Sequence, residues 1–168
     1  MPLSIKILLA ALALVALQFH RWSKLSSGSV FSPEFPRPVV ALFNWAFGAI
    51  FLLALLQLLL DGGLLFGMLI HGDITSAPDG VRYGLAAFAG AVSAIGVQQA
   101  MRVPPLKDVE VGIRGLPRQF DGYTILQLTD LHISRLFPLS WARAVVERSN
   151  KLGADLIVIT GDLIDGSC

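Results

Sequence analysis

The stretch ILQLTDLHIS, from Ile125 to Ser134, has a counterpart further along the chain in DLIVITGDLIDG, from Asp155 to Gly166. Each stretch is a short apolar run that stops at an aspartate, which is typical of a buried parallel strand. In open α/β sheets the ligand site lies beyond the carboxyl ends of the strands. We therefore predict that two strands bring four polar side chains to one edge of a sheet: Asp130, His132, Asp162 and Asp165.

The segment between the two runs predicts a helix from Pro138 to Leu152. Ser140 is placed to cap its start, and Gly153 stands where a C-terminal cap glycine belongs. Strand, helix and strand form a βαβ unit, whose right-handed crossover makes the two strands parallel. The alternation in DVEVGIRGL, which follows Lys107, predicts one earlier strand.

Three carboxylates and an imidazole at one sheet edge destabilise one another unless a cation lies among them. Carboxylate oxygen combined with imidazole nitrogen suits Mn²⁺, Fe or Zn²⁺ better than Ca²⁺ or Mg²⁺. The alternative is local structure alone, because Gly-Asp and Asp-Gly are ordinary turn dipeptides and His132 fits a surface histidine. The pairing of both motifs on one βαβ unit favours the metal site. Neither a phosphate-binding Gly-x-x-x-x-Gly-Lys loop nor a Gly-x-Ser-x-Gly elbow occurs in the chain.

These residues resemble the first two motifs of the calcineurin-like metallophosphoesterase superfamily. The Asp-x-His motif of that family matches Asp130 and His132, and its Gly-Asp-x-x-Asp motif matches Gly161, Asp162 and Asp165. The resemblance implies that the first Asp and the His bind one metal and that Asp162 bridges two. It also implies that Asp165 supports a ligand by hydrogen bonding and that Gly161 allows the tight turn that aims Asp162.

The leading segment Gly115 to Ile125, which reads GLPRQFDGYTI, is similar to the membrane-associated YkuE-like branch of that superfamily. The resemblance implies the first βαβ portion of an α/β metallophosphoesterase sandwich. It further implies hydrolysis of a phosphomonoester, phosphodiester or pyrophosphate bond with two divalent ions, Mn, Fe or Zn. The resemblance implies that the substrate is a phosphate ester, either lipid-linked or a nucleotide.

The end of the chain departs from the family pattern. The Gly-Asn-His-Asp/Glu motif, a later metal-binding histidine and the Gly-His-x-His motif have no counterpart here, so no catalytic residue is identified. We expect the N-terminal part of such an enzyme, inactive alone and holding at most one metal ion weakly. The alternative is a non-catalytic, truncated membrane protein that serves as an anchor or interaction module.

The first hundred residues point to a membrane. Hydrophobic residues form 54% of the chain and charged residues 15%. The uncharged run Val39–Leu60 reaches about 33 Å as a helix, enough to cross a hydrocarbon core of about 30 Å. Tyr83–Met101 predicts a second span, and Leu3–Phe19 a third, with a signal peptide as the alternative for the third. The apolar patch Leu64–Ile70 is too short to span and is expected at the interface or capping the second span.

The loop charges predict a topology. The loop from His20 to Pro38 and the segment after the last span are basic, whereas the loop between the two clear spans is mainly acidic. The positive-inside rule then predicts a multi-pass membrane protein with a cytoplasmic soluble domain. We divide the chain into a membrane-spanning region over 1–102, a linker over 103–106 and an incomplete metallophosphoesterase domain over 107–168. A net charge of +1 without a Lys/Arg cluster does not indicate nucleic-acid binding.

Overall fold

The computed structural model describes residues 3–27, 33–73 and 76–165. The described residues up to 100 form four helices: α1 (Leu3–Leu17), α2 (Phe19–Ser27), α3 (Arg37–His71) and α4 (Asp79–Ala100). After a short 3₁₀ turn at Arg118–Phe120 come strand β1 (Ile125–Thr129), helix α5 (Leu139–Asn150) and strand β2 (Leu156–Thr160).

Helices α3 and α4 form an antiparallel hairpin. Near the middle of α4, Trp45 Nε1 donates to the Gly90 carbonyl at 2.9 Å, and Ser93 Oγ donates to the Trp45 carbonyl at 2.8 Å. Near the start of α4, Arg82 Nη2 pairs with Asp61 Oδ1 at 2.9 Å. Polar contacts of this kind are favourable in a membrane, where backbone and side-chain groups lack water as a partner.

The hairpin packs closely because small residues face each other. A Cβ atom on Gly48 would lie only 2.6 Å from Ser93 Oγ, so this position of α3 admits no side chain without a shift of the serine. Ala89 of α4 is 1% exposed, whereas large apolar side chains elsewhere on the hairpin are exposed. An apolar helix that is exposed around most of its circumference fits a lipid environment.

Two helices of the described residues, α3 and α4, are long and apolar enough to cross a membrane. Helices α1 and α2 make up a third span if they are counted as one broken helix, bent by 52°. Within the predicted third span, Leu3–Phe19, α1 ends at Leu17 and α2 begins at Phe19. The predicted fold class, apolar spans followed by a small parallel α/β unit, is confirmed.

The patch Leu64–Ile70, predicted at the interface or capping the second span, is not a separate element. It continues α3 through Gly62 and Gly63, so that α3 runs for 35 residues, or about 52 Å at about 1.5 Å per residue. The helix ends at Gly72, whose left-handed backbone (φ 76°) lets its N–H bond to the Met68 carbonyl.

Strands β1 and β2 pair in parallel, with Ile125 opposite Leu156 and Thr129 opposite Thr160. Helix α5 lies between them in the chain, so the predicted βαβ unit is present. The extra predicted strand after Lys107 is wrong: residues 103–124 are described throughout and contain no strand. Ser140 is not the helix cap either, since α5 begins after Pro138 without a side-chain capping bond.

Candidate metal centre

The site is built at the carboxyl ends of β1 and β2 by two loops that are bonded to each other. The His132 N–H donates to the Asp162 carbonyl at 3.0 Å, and the Ile133 N–H donates to the Leu163 carbonyl at 2.9 Å. Beyond the loops, Ile133 and Ile164 pair as an isolated parallel bridge. Strand pairing before the loops and bridging after them fix both loops in one register.

This arrangement brings three of the predicted residues together. One ligand atom each from Asp130, His132 and Asp162 lies within 4.8 Å of the other two. Two atoms that bind the same ion at about 2.0–2.2 Å are at most about 4.4 Å apart, so small rotations of these side chains suffice to close the site. The predicted convergence is found, while metal binding by these residues stays a prediction.

The backbone at the three residues is unusual. Asp130, His132 and Asp162 have φ angles of 51°, 44° and 35°, and no other non-glycine residue in the described ranges has a positive φ. Left-handed backbone is disfavoured for L-residues, by about 1–2 kcal/mol, and such strain concentrates at functional sites. Gly161, at φ 70°, adopts the same region without a side-chain penalty, as the predicted tight turn requires.

The imidazole of His132 lies between two aspartates. Its Nε2 atom is 4.0 Å from Asp162 Oδ2, and its Nδ1 atom is 2.9 Å from Asp165 Oδ2. The second distance is that of a hydrogen bond, although the N–H direction is poorly aligned and leaves Nδ1 buried without a well-formed partner. The distance sets the charge interaction between the two side chains, and a small ring rotation aligns the donor. The arrangement leaves Nε2 facing the other candidate ligands.

The electrostatics of the site favour a cation. The contact with Asp165 raises the pKa of His132 above its ordinary 6.5, partial desolvation opposes this, and the negative charges of Asp165, Asp162 and Asp130 reinforce it. The site thus attracts positive charge to the place where the imidazole stands. Carboxylate oxygen and imidazole nitrogen together fit Mn²⁺, Fe or Zn²⁺.

Thr129 is a contributor that the sequence reasoning missed. Its Oγ1 atom lies 2.7 Å from Asp130 Oδ2 and 2.7 Å from the Thr160 carbonyl, and it donates to one of them at a time. The hydroxyl therefore links the candidate ligand to the end of the neighbouring strand. A threonine at the last position of a strand, directly before an aspartate, is the signal that was present in the sequence.

Comparison with known proteins shows partial similarity to proteins that are named as metallophosphoesterases. The chain is 34% identical over 82 residues to the zebrafish (Danio rerio) protein named "Transmembrane protein with metallophosphoesterase domain", a match covering 48% of the chain and 19% of the relative. It is 44% identical over 50 residues to "Uncharacterized metallophosphoesterase YkuE" of Bacillus subtilis (strain 168), covering 30% of the chain and 18% of the relative. No family model matches the chain. No solved structure matches it either.

The resemblance to metallophosphoesterases is confirmed as a partial relationship with proteins that carry that name. The matches span less than a fifth of the length of each relative. The activity, the substrate and the side of the membrane are therefore taken up as proposals.

Proposed function

We propose that this chain is part of a membrane-anchored, metal-dependent phosphoesterase. The observation that carries the proposal is the convergence of Asp130, His132 and Asp162 at the carboxyl edge of a parallel sheet. Its support is threefold: the donor types fit a transition metal, the ligand loops are strained, and both relatives are named metallophosphoesterases.

In the proposed site, Asp130 and His132 would hold one divalent ion, and Asp162 would also serve as a ligand of a second ion where a second ion binds. When bound, such ions polarise the phosphoryl oxygens of the substrate and supply hydroxide at neutral pH. Asp165 fixes the imidazole through Nδ1, and Gly161 allows the turn that presents Asp162. We propose Mn, Fe or Zn as the ions and a phosphomonoester, phosphodiester or pyrophosphate as the substrate.

We also propose the division into a membrane-spanning region over 1–102, a linker over 103–106 and a phosphoesterase portion from 107 onward. Helices α3 and α4 fit a membrane protein, and the basic segments that flank them favour a multi-pass protein with its soluble part in the cytoplasm. The polar contacts that Arg37 of α3 and Glu34 before α3 make with the loop after β1 support the view that the soluble part lies directly against the membrane region.

The proposal is tested by Mn²⁺ binding to the purified polypeptide of residues 1–168 in detergent. We expect at most one weakly held ion, whose binding is lost in Asp162→Asn and retained in Asp155→Asn. Asp155 is the matched control because it lies before β2, and its carboxylate accepts bonds from Thr124 at 2.8 Å. Equal binding by all three proteins would contradict the proposed site and favour a non-catalytic membrane anchor.

Activity of the same polypeptide gives a second measurement. We expect no appreciable hydrolysis of a chromogenic phosphodiester with Mn²⁺, because three or four ligands do not complete a two-metal clamp for the developing charge. Robust Mn²⁺-dependent hydrolysis that Asp162→Asn abolishes would show that this expectation is wrong and that a complete site forms, with groups from a second chain.

A further inference from the structure

The loop that follows the candidate ligand His132 contacts the start of α3. Arg37 Nε donates to the Leu136 carbonyl at 3.1 Å, and Arg135 Nε pairs with Glu34 Oε2 at 2.7 Å. Leu136 lies only a few residues after His132 in the same loop. These contacts therefore hold the candidate metal centre beside the membrane-spanning hairpin.

The contacts also set the height of the site relative to a bilayer. Arg37 stands at the polar end of the uncharged run Val39–Leu60. The antiparallel α4 ends at the same end of the hairpin, and Arg102 follows it. Basic residues at the end of a span lie at the membrane–water boundary, so the candidate metal centre lies at the depth of lipid head groups.

A cavity of about 510 Å³ opens between this loop and the start of α3. Its charged lining consists of Glu34, Arg37, Arg135 and Asp165. Asp165 is also the residue 2.9 Å from His132 Nδ1, so the cavity reaches the candidate metal centre through Asp165, whereas Asp130, His132 and Asp162 themselves do not line it. The volume is in the range of small-molecule binding sites.

Among the described residues, the charges in this cavity leave one cation without a counter-charge. Glu34 is paired with Arg135, and Asp165 is paired with His132. Arg37, by contrast, makes one side-chain hydrogen bond, to a neutral carbonyl, and no ion pair within the described residues. A guanidinium that uses only Nε keeps its other N–H groups for an anion, and phosphate, like carboxylate, is an oxyanion that arginine binds in a bidentate manner.

A second, smaller cavity adjoins the first. Its volume is about 160 Å³, and it shares Ser134 and Asp165 with the larger cavity. The rest of its lining is mainly apolar and comes from the membrane helices, the segment before α3 and the loop: Phe19, Pro33, Val40, Asn44, Leu136 and Phe137. A ligand that occupies both cavities must be polar and anionic at one end and apolar at the other.

We propose that the two adjoining cavities bind a phosphorylated membrane lipid, with its phosphate at Arg37 beside the candidate metal centre and the start of its hydrocarbon chain in the apolar cavity against Phe19 and Val40. The proposal rests on the proposed function and names the substrate class of that site. A soluble phosphate ester satisfies Arg37 equally well, but it has no group to place among Phe19, Val40 and Phe137. A phosphorylated lipid accounts for the polar cavity, for the apolar cavity and for their position at the depth of lipid head groups.

The test is binding to the purified 168-residue protein in detergent, measured by calorimetry without metal. The probes are short-chain dihexanoyl phosphatidic acid, inorganic phosphate and dihexanoyl phosphatidylcholine. We expect phosphatidic acid to bind about tenfold more tightly than inorganic phosphate or better, because each buried methylene adds to affinity. Phosphatidylcholine, whose phosphate is masked by a bulky cation, is expected to bind more weakly than phosphatidic acid.

Two variants locate the ligand. Arg37→Gln is expected to weaken phosphatidic acid binding about tenfold or more, as the loss of a charge-assisted hydrogen bond does. Asn44→Phe places an aromatic ring in the apolar cavity and is expected to weaken the lipid while leaving inorganic phosphate unchanged. Arg114→Gln is the matched control, because Arg114 is exposed and makes no side-chain bond to the described residues.

Equal affinity for inorganic phosphate and phosphatidic acid would overturn the lipid assignment in favour of a soluble ester. Phosphatidic acid binding that is unaffected by both Arg37→Gln and Asn44→Phe would also overturn the lipid assignment. Asn44→Phe keeps the test valid if Arg37→Gln disturbs the loop. Mn²⁺ binding is measured on the same samples. Loss of lipid selectivity with normal Mn²⁺ binding contradicts this inference alone, whereas normal lipid binding without Mn²⁺ binding contradicts the proposed function alone.

Discussion

Replacing Asp165 by asparagine should weaken metal binding although Asp165 is outside the three-residue cluster. Its Oδ2 atom is 2.9 Å from His132 Nδ1, and His132 Nε2 faces Asp162 at 4.0 Å. An acceptor on Nδ1 keeps the proton there and leaves the Nε2 lone pair for the ion. The asparagine retains the shape of the side chain but removes the negative charge that holds this tautomer.

The magnitude follows from the surroundings of the pair. Loss of the partner of a metal-binding histidine costs about 10- to 100-fold in metal affinity. The side chains of His132 and Asp165 are 39% and 32% exposed, so water screens their interaction and replaces part of it. We therefore expect the lower end of the range, about tenfold.

The assay is a Mn²⁺ titration of wild type, Asp165→Asn and Asp155→Asn in detergent, followed by the electron paramagnetic resonance signal of free Mn²⁺. Asp155→Asn changes the same residue type at the opposite end of β2 and should leave the affinity unchanged. An Asp165→Asn affinity equal to that of wild type would refute the role of Asp165 in orienting His132. A complete loss of binding would instead mean that Asp165 is itself a ligand.

Three further outcomes are expected. Gly161→Ala should lower the free energy of unfolding by about 1–2 kcal/mol, because the φ of Gly161 is 70° and a side chain is strained in that backbone region. The new Cβ would meet no atom within 4 Å, so no steric clash contributes. Gly112→Ala, where the Cβ is equally free of contacts, should not destabilise the protein in the same denaturant titration. The backbone and hydroxyl bonds of Thr124 lower the pKa of Asp155 below its ordinary 3.8, so the stability lost in Asp155→Asn should be present above that pH and fade as pH falls further; a thermal-unfolding difference that persists in strong acid would contradict this. In a cysteine-free background, Ser76→Cys should react with an impermeant maleimide from outside intact cells, and labelling only from the cytoplasm would reverse the proposed topology.

The strands and the helix of the βαβ unit were predictable because each leaves a periodic signal. Two apolar runs of strand length ended at aspartates; the observed strand Ile125–Thr129 ends directly before Asp130, and Leu156–Thr160 ends two residues before Asp162. The hairpin of two apolar helices was also predictable, because the uncharged run of 22 residues from Val39 to Leu60 has the length and composition of a membrane-spanning helix.

Other features depended on partners that no local pattern reveals. The alternation after Lys107 indicates which side a strand would bury. A strand also needs a neighbouring strand to pair its backbone hydrogen bonds. Without such pairing, Val109, Val111 and Ile113 remain 70%, 69% and 59% exposed. The bend after Leu17 occurs without a glycine or proline to announce it. The contact of Arg37 with Leu136 joins residues 99 apart in the chain, which a motif search does not detect.

The candidate site combines both situations. That Asp130, His132 and Asp162 share one edge followed from strand order, but their left-handed backbone depends on the hydrogen bonds between the two loops. A backbone held at positive φ restricts which residue types fit at each position. Aspartate, asparagine and histidine tolerate this backbone better than most residues. Alanine at any of the three would change the backbone preference and the ligand together. Asparagine keeps the backbone and removes the charge, so asparagine variants separate metal binding from folding, and a loss of Mn²⁺ in Asp162→Asn with normal stability is attributable to the lost ligand.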